Sequence, residues 1–252
     1  MKKTIAILST LAFAMSVSAV SAAKLNYAPE LPENDGTYDV LGHPDMKVKI
    51  FVHKNKPVKP ALAPEGVVGI CSSDEPSDAS VGATGWKLPS SWNYRLNVST
   101  VPASIGATGL GNIANLSFDE WYGNLPGMSI IKGDSTKKYK ATFDGQNIIA
   151  WGNAPATALA ITYTWYYTNS GVVAENDTIM NKKFAWSWNM CSAKSYDAQN
   201  ILTHELGHWF GLTDHYKVNY DDNTMYGYGS VAENKKDTLT SGDIIGLQQI
   251  YQ

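Results

Sequence analysis

The sequence has only two cysteines, almost no surplus charge, and no apolar run after its first 25 residues that is long enough to cross a membrane. Its 20 basic and 23 acidic residues nearly balance, and no basic stripe stands out, so nucleic acid is not an expected partner. It also has no internal repeat and no long low-complexity tract. Because 44% of the residues are hydrophobic and 17% are charged, the chain has the balance of an ordinary folded protein.

The first residues have the order of a secretory signal peptide. Lys2 and Lys3 precede an apolar run over residues 5–17, and small residues follow as far as Ala23. A membrane anchor is the alternative, but this run is too short for one. We therefore predict that residues 1–23 are removed and that the protein is secreted, to the periplasm or the exterior, without a stable membrane anchor.

The composition changes near residue 85. Residues 24–85 are rich in proline, with one candidate strand at 47–51, and predict a propeptide or N-terminal extension joined by a linker. The alternative is an ordered N-terminal arm packed on the main domain. Residues 86–252 are interpreted as one α+β domain.

Within that domain, the apolar patterns predict helices and strands in alternation. The best helix covers 197–210, with Asp197 at its N-terminus as a cap. The other predicted helices are 102–121 and 241–250, and the predicted strands are 94–98, 128–131, 147–151, 158–167 and 172–181.

The best helix carries the strongest chemical signal, a His-Glu-x-x-His motif. His204 and His208 lie one helical turn apart, so both imidazoles can bind one metal ion. Glu205 flanks that ion without having to ligate it, which is the position for a base acting on a metal-bound water. This arrangement predicts a zinc-dependent hydrolase.

A catalytic zinc usually has three protein ligands. Gly211 can end the helix in the left-handed conformation and turn the chain back, which brings Asp214 or His215 toward the same ion. Both residues remain candidates for the third ligand on this reasoning, with Asp214 preferred.

The segment 204–215 resembles the metzincin motif, His-Glu-x-x-His-x-x-Gly-x-x-His/Asp, and its Asp214 resembles the third ligand of snapalysin-type members. Asn223 to Gly229 resembles the Met-turn of the same family, which makes Met225 the apolar floor beneath the metal and Tyr226, as in matrixins, a wall of the substrate pocket. The resemblance covers residues 86–252, and its specificity lies in these two motifs.

The resemblance implies a mixed, twisted sheet with long helices and an active-site cleft over zinc. It also implies an endopeptidase whose protein or peptide substrate lies extended along an exposed edge strand. By family position we expect that strand near 172–181.

Cys71 and Cys191 have two interpretations. In an exported protein a pair of cysteines most simply forms one disulfide. Alternatively, Cys71 is a thiolate held on the zinc of a latent precursor, although its flanking residues lack the Pro-Arg-Cys-Gly context of the known switch.

Three further hypotheses stay open. In the first hypothesis the site is thermolysin-like and Glu233 is the third ligand, which requires a helix at that position. A secreted zinc-stabilised binding module without catalysis is the alternative function. Structural calcium is considered at the oxygen-rich cluster of Asp221, Asp222 and Asn223. The sequence does not indicate an oligomeric state.

Overall fold

The computed structural model describes residues 26–56, 76–190 and 192–252. The predicted signal peptide, Cys71 and Cys191 lie outside these residues. Cleavage of the signal peptide and the state of the two cysteines therefore stay predictions.

The described chain folds into a mixed sheet with helices packed on it, which confirms the α+β class. Its strands are β1 (Gly36–Val40), β2 (His43–Asn55), β3 (Ser91–Leu96), β4 (Ser129–Lys132), β5 (Ile148–Gly152), β6 (Ala158–Tyr167), β7 (Val173–Asn181), β8 (Trp186–Ser187), β9 (Tyr196–Asp197) and β10 (Tyr228–Gly229). Its α-helices are α1 (Gly106–Tyr122), α2 (Ala198–Trp209) and α3 (Ser241–Tyr251), with single 3-10 turns at Val218–Tyr220 and Lys235–Asp237.

The strand order of the main sheet is β1-β2-β6-β7-β5-β3-β4, and β10 pairs with β2. The β3, β4, β5 and β7 strands pair in parallel, whereas β6 runs antiparallel to both β7 and β2. One face of the sheet packs against α1 and α2 around the larger hydrophobic core, and a second apolar cluster covers the other face.

The expectation that 172–181 forms the exposed edge strand is wrong. Strand β7 covers this segment, pairs with β5 on one side and β6 on the other, and is buried along most of its length. Its sequence alternates between apolar and polar residues, as in an exposed strand. In the structure, however, the polar side chains of residues such as Thr178 and Asn181 make buried hydrogen bonds. Between residues 86 and 252, β6 is the antiparallel strand at the end of the sheet.

The N-terminal extension contributes to the same sheet. Strands β1 and β2 form an antiparallel hairpin, and β2 pairs with β6 from Met46 to Lys54. The sheet therefore continues across the boundary predicted at residue 85, and the β1–β2 hairpin covers the edge that β6 would otherwise expose.

Helix α2 begins and ends as the sequence predicts. The Asp197 carboxylate accepts hydrogen bonds from the backbone N–H groups of Gln199 and Asn200, which satisfies two donors of the first turn. Gly211 has a φ of +99°, and a Cβ there would lie 2.4 Å from the carbonyl oxygen of Trp86. Only glycine fits this turn, which sends the chain back toward the helix.

Among residues 26–56, 76–190 and 192–252, no helix combines the length and apolar character that a membrane span needs.

Candidate metal centre

Helix α2 presents two neutral imidazoles with free lone pairs. His204 Nδ1 lies 2.7 Å from the carbonyl oxygen of Thr224, and His208 Nδ1 lies 2.9 Å from that of Leu212. A carbonyl oxygen only accepts, so each Nδ1 carries the proton and each Nε2 carries the lone pair. Burial lowers the pKa of His204 well below its ordinary value and that of His208 to about 4, which keeps both rings neutral.

The Asp214 carboxylate faces the same two nitrogens. Its Oδ1 lies 3.0 Å from His204 Nε2, and its Oδ2 lies 3.7 Å from His208 Nε2. Among the described residues, both Nε2 atoms and Asp214 Oδ1 are buried without a hydrogen-bond partner. Buried polar atoms are rarely left unpaired, so three that converge on one point indicate a ligand.

This donor set fits zinc. Ligand atoms about 2 Å from a tetrahedral ion lie roughly 3.3 Å from one another, and the two separations given above bracket that value. Neutral imidazole and carboxylate are both ordinary zinc ligands. The group of His204, His208 and Asp214 is one of two in the described chain whose side chains could together hold a metal.

His215 is held away from this point. Its Nε2 accepts a hydrogen bond of 2.8 Å from the backbone N–H of Gly82, and its ring stacks on Tyr220 with 4.1 Å between centroids. Its lone pair is therefore already used, whereas the Oδ1 atom of Asp214 has no hydrogen-bond partner among the described residues.

Glu205 lies beside the three candidate ligands and is fully buried. Its Oε2 accepts a 2.6 Å hydrogen bond from the Thr162 hydroxyl, and its Oε1 lies 3.1 Å from His53 Nδ1. Burial raises the pKa of Glu205 well above its ordinary range, and the Thr162 hydroxyl opposes that rise. A carboxylate with a raised pKa is a stronger base, which suits proton transfer near neutral pH.

A chain of hydrogen bonds orients Glu205 from the sheet. Thr162 has one hydroxyl proton and donates it to Glu205. The Thr178 hydroxyl oxygen lies 2.8 Å from that of Thr162, so in this second hydrogen bond Thr178 donates and Thr162 accepts. Thr178 in turn accepts a 2.9 Å hydrogen bond from Trp209 Nε1, on the same helix as Glu205. Strands β6 and β7 thus fix the carboxylate against the end of α2.

We expect Thr162→Val to lower peptide turnover in a chain that also carries His53→Ala, a substitution that removes the imidazole in contact with Glu205 Oε1. A hydrogen bond to a charged group contributes about 1.5–3 kcal/mol, so kcat should fall about ten- to a hundredfold with KM little changed. Steady-state kinetics on a peptide substrate measures kcat and KM separately and so checks this prediction.

Thr164→Val is the matched control for this prediction. Thr164 is equally buried two residues along β6, and its hydroxyl has no hydrogen-bond partner among the described residues. Thr162→Ser should restore most of kcat because serine keeps the donor. Equal kcat values for the two valine variants would contradict the orienting role of Thr162.

The predicted Met-turn lies beneath α2. Met225 is fully buried, and a Cβ on Gly207 would lie 2.2 Å from its sulfur, so the helix contacts the turn without a side chain between them. Asp243, at the start of α3, accepts hydrogen bonds from the backbone N–H groups of Thr224 and Met225. Because the carbonyl oxygen of Thr224 also accepts from His204, the Asp243 carboxylate in the first turn of α3 indirectly orients a candidate metal ligand.

No sequence pattern indicates a role for Lys236, which lies in the polar run 234–237. The structure buries its ammonium completely, where it donates to the carbonyl oxygens of Tyr226 (2.6 Å) and Tyr228 (2.7 Å). Its Nζ also lies 3.2 Å from His53 Nε2. Burial lowers the pKa of Lys236 to about 8, which leaves a positive charge near Glu205 at neutral pH.

The structure gives the remaining candidates other contacts. Glu233 lies outside any α-helix and contacts Asn200 Nδ2 (3.4 Å) and Lys236 Nζ (3.8 Å), so the thermolysin-like hypothesis lacks the helix that it needs.

The residues of the proposed calcium cluster also have other partners. The Asn223 amide forms hydrogen bonds with Ala79, Thr240 and Ser77, and the ammonium of Lys235 lies 3.3 Å from Asp222. The calcium hypothesis gains no support from this geometry.

Comparison with known proteins agrees with the geometry. The matrixin family model matches residues 110–252, which is more than half of the chain and includes α2, Asp214 and the Met-turn. A comparison with curated proteins gave no match. One family model spans both sequence motifs, and the fold brings His204, His208 and Asp214 together in a group that could hold a metal, so this chain belongs to the matrixin family of zinc metallopeptidases.

Proposed function

We propose that the protein is a secreted zinc endopeptidase in which His204, His208 and Asp214 hold the metal and Glu205 is the general base. The observation that carries this proposal is the convergence of three buried, unpartnered ligand atoms beside a buried carboxylate. Support for secretion comes from the sequence of residues 1–23.

Zinc bound by these residues supplies the Lewis acidity that polarises a peptide carbonyl and lowers the pKa of water to about 7. Glu205 accepts the proton of the attacking water at its carboxylate and delivers it to the nitrogen of the leaving amine. Thr162 keeps that carboxylate oriented, and the Lys236 ammonium balances its negative charge in the buried site.

The substrate is a protein or peptide in extended conformation. Strand β6 is the antiparallel end strand of the matrixin portion of the sheet, and it can pair with a substrate backbone through β-augmentation. We assign Tyr226, which directly follows Met225, to the wall of the substrate pocket.

Removal and return of the metal tests this function. We expect the chain with His53→Ala to cleave casein, to lose that activity when zinc is removed by 1,10-phenanthroline, and to regain it when zinc is added. The chelated protein should keep its circular dichroism spectrum, because apolar side chains pack α1 and α2 against the sheet.

Cleavage that persists in the chelated protein would contradict the proposal. A fully zinc-loaded chain that cleaves neither casein nor gelatin would favour the non-catalytic binding module. That alternative gives no chemical role to Glu205 or to the hydroxyl that orients it.

A further inference from the structure

The N-terminal strand β2 runs directly over the metal centre. Side chains alternate between the two faces of a strand. Met46, Val48, Ile50 and Val52 belong to the apolar cluster on the face away from the helices, so the residues between them point toward α2. Two of these, Phe51 and His53, reach the metal ligands.

Phe51 and His53 cover the two ligand histidines. The Phe51 ring stacks on His208 with 3.7 Å between centroids and 2° between planes. The His53 ring lies over His204 with 3.8 Å between centroids. Both covering side chains are buried, and His204, Glu205 and His208 have no exposed surface.

His53 also forms a hydrogen bond with the carboxylate of Glu205, the proposed general base. Lys236 Nζ only donates, so His53 Nε2 is the acceptor and its Nδ1–H donates to Glu205 Oε1. Thr162 already takes the other oxygen of Glu205. A water that transfers its proton to Glu205 must reach one of these two oxygens, and the side chains of His53 and Thr162 lie against them in a fully buried site.

The same hairpin lies along the edge of β6, where an extended substrate would bind. Strand β2 pairs with β6 in antiparallel register from Met46 to Lys54, along the edge where an extended peptide would add. The segment also approaches the third ligand, because Asp35 Oδ2 lies 3.5 Å from the Tyr216 hydroxyl, which itself lies 3.3 Å from Asp214 Oδ2.

The hairpin lies outside the matched residues 110–252. It stands at one end of the sheet, where β2 pairs with β6 and β10, and the order β6-β7-β5-β3-β4 continues on the far side of β6.

We infer that His53 is an inhibitory residue that acts on the general base: strand β2 adds to β6 along the cleft and places the His53 imidazole on the Glu205 carboxylate, so the block is made at the base and not by a ligand to the metal. This inference rests on the proposed function, because it identifies the regulation of the same site. In the described chain, the group that closes the site is thus an imidazole on a substrate-like strand.

Two full-chain variants and one control test the inhibitor. His53→Ala removes the blocking ring, and Lys49→Pro breaks the pairing of β2 at a position that faces strands on both sides, where proline is not tolerated. His43→Ala, at the exposed start of β2, is the matched control. Each zinc-loaded chain is mixed with the chelator 4-(2-pyridylazo)resorcinol to follow zinc transfer, and separately with casein to follow cleavage.

We expect zinc transfer and casein cleavage to rise about ten- to a hundredfold in His53→Ala and at least as much in Lys49→Pro, as loss of a hydrogen bond to a charged group implies. His43→Ala should match the wild type. Hydrogen exchange of the α2 amides checks that each variant is folded. If Lys49→Pro loses that protection, His53→Ala decides the test by itself.

Two other outcomes are informative. A wild type that transfers zinc and cleaves casein as fast as His53→Ala would overturn the inhibitory role of the hairpin. Faster zinc transfer without cleavage by any variant would support the covering strand and would contradict the endopeptidase function instead.

Discussion

Glu205→Gln, made in the chain that carries His53→Ala, is expected to cleave casein about 10²- to 10⁴-fold more slowly, which is the contribution of a general base. Glutamine keeps the size of the side chain and can still accept from Thr162, but its amide cannot take a proton from water. Because Glu205 is not among the proposed ligands, the variant should keep its full zinc content. Initial rates of cleavage, with zinc measured by atomic absorption on the same samples, check both parts.

Glu233→Gln is the matched control for this substitution. Glu233 is a second largely buried carboxylate near Lys236, and its oxygen accepts from Asn200 Nδ2. The loss of its charge should leave both the zinc content and the rate nearly unchanged. Loss of zinc in Glu233→Gln would support the thermolysin-like hypothesis, in which Glu233 is the third ligand. If Glu205→Gln retains most of the activity, another group takes the proton.

Asp214→Ala is expected to weaken zinc binding by at least about a hundredfold, since loss even of residues that only support ligands costs about 10–100-fold in metal affinity. The substitution leaves two imidazoles to hold the ion and removes the carboxylate whose two oxygens face them. Competition with a chelator of known affinity measures the change.

His215→Gln is the control for the third ligand. Glutamine can still accept the hydrogen bond from the backbone of Gly82, so the local structure is kept while the imidazole is removed. We expect this variant to bind zinc like the wild type. Strong zinc loss in His215→Gln with retention in Asp214→Ala would reverse the assignment and would require His215 to leave Gly82 and Tyr220.

The local sequence was sufficient for the features that depend on a few neighbouring residues. Asp197 caps α2 because its carboxylate is two and three residues from the N–H groups that it accepts. The ligand pair follows from the helical repeat, and the turn at Gly211 follows from the conformations open only to glycine. The family resemblance added Met225, whose burial beneath the helix the structure bears out.

The sequence could not identify the partners of Glu205 because they come from distant strands. Thr162 is 43 residues away along the chain, and His53 is 152 residues away. A threonine in an apolar strand and a histidine in a proline-rich extension have no local pattern that indicates a role in a metal site. Lys236 resembles an exposed loop residue for the same reason, since only folding supplies the two carbonyl oxygens that make its burial tolerable.

Strand order was the other property that local patterns left open. The segments 158–167 and 172–181 both predict strands, but the edge position depends on which neighbours each strand pairs with. The sequence by itself determined the metal-binding motif, the turn after it and the helix that carries it, because these are fixed by spacing along the chain. The tertiary structure alone decided that β7 is interior, that Thr162 and Lys236 surround Glu205, and that β2 closes the cleft, because these depend on contacts between segments far apart in sequence.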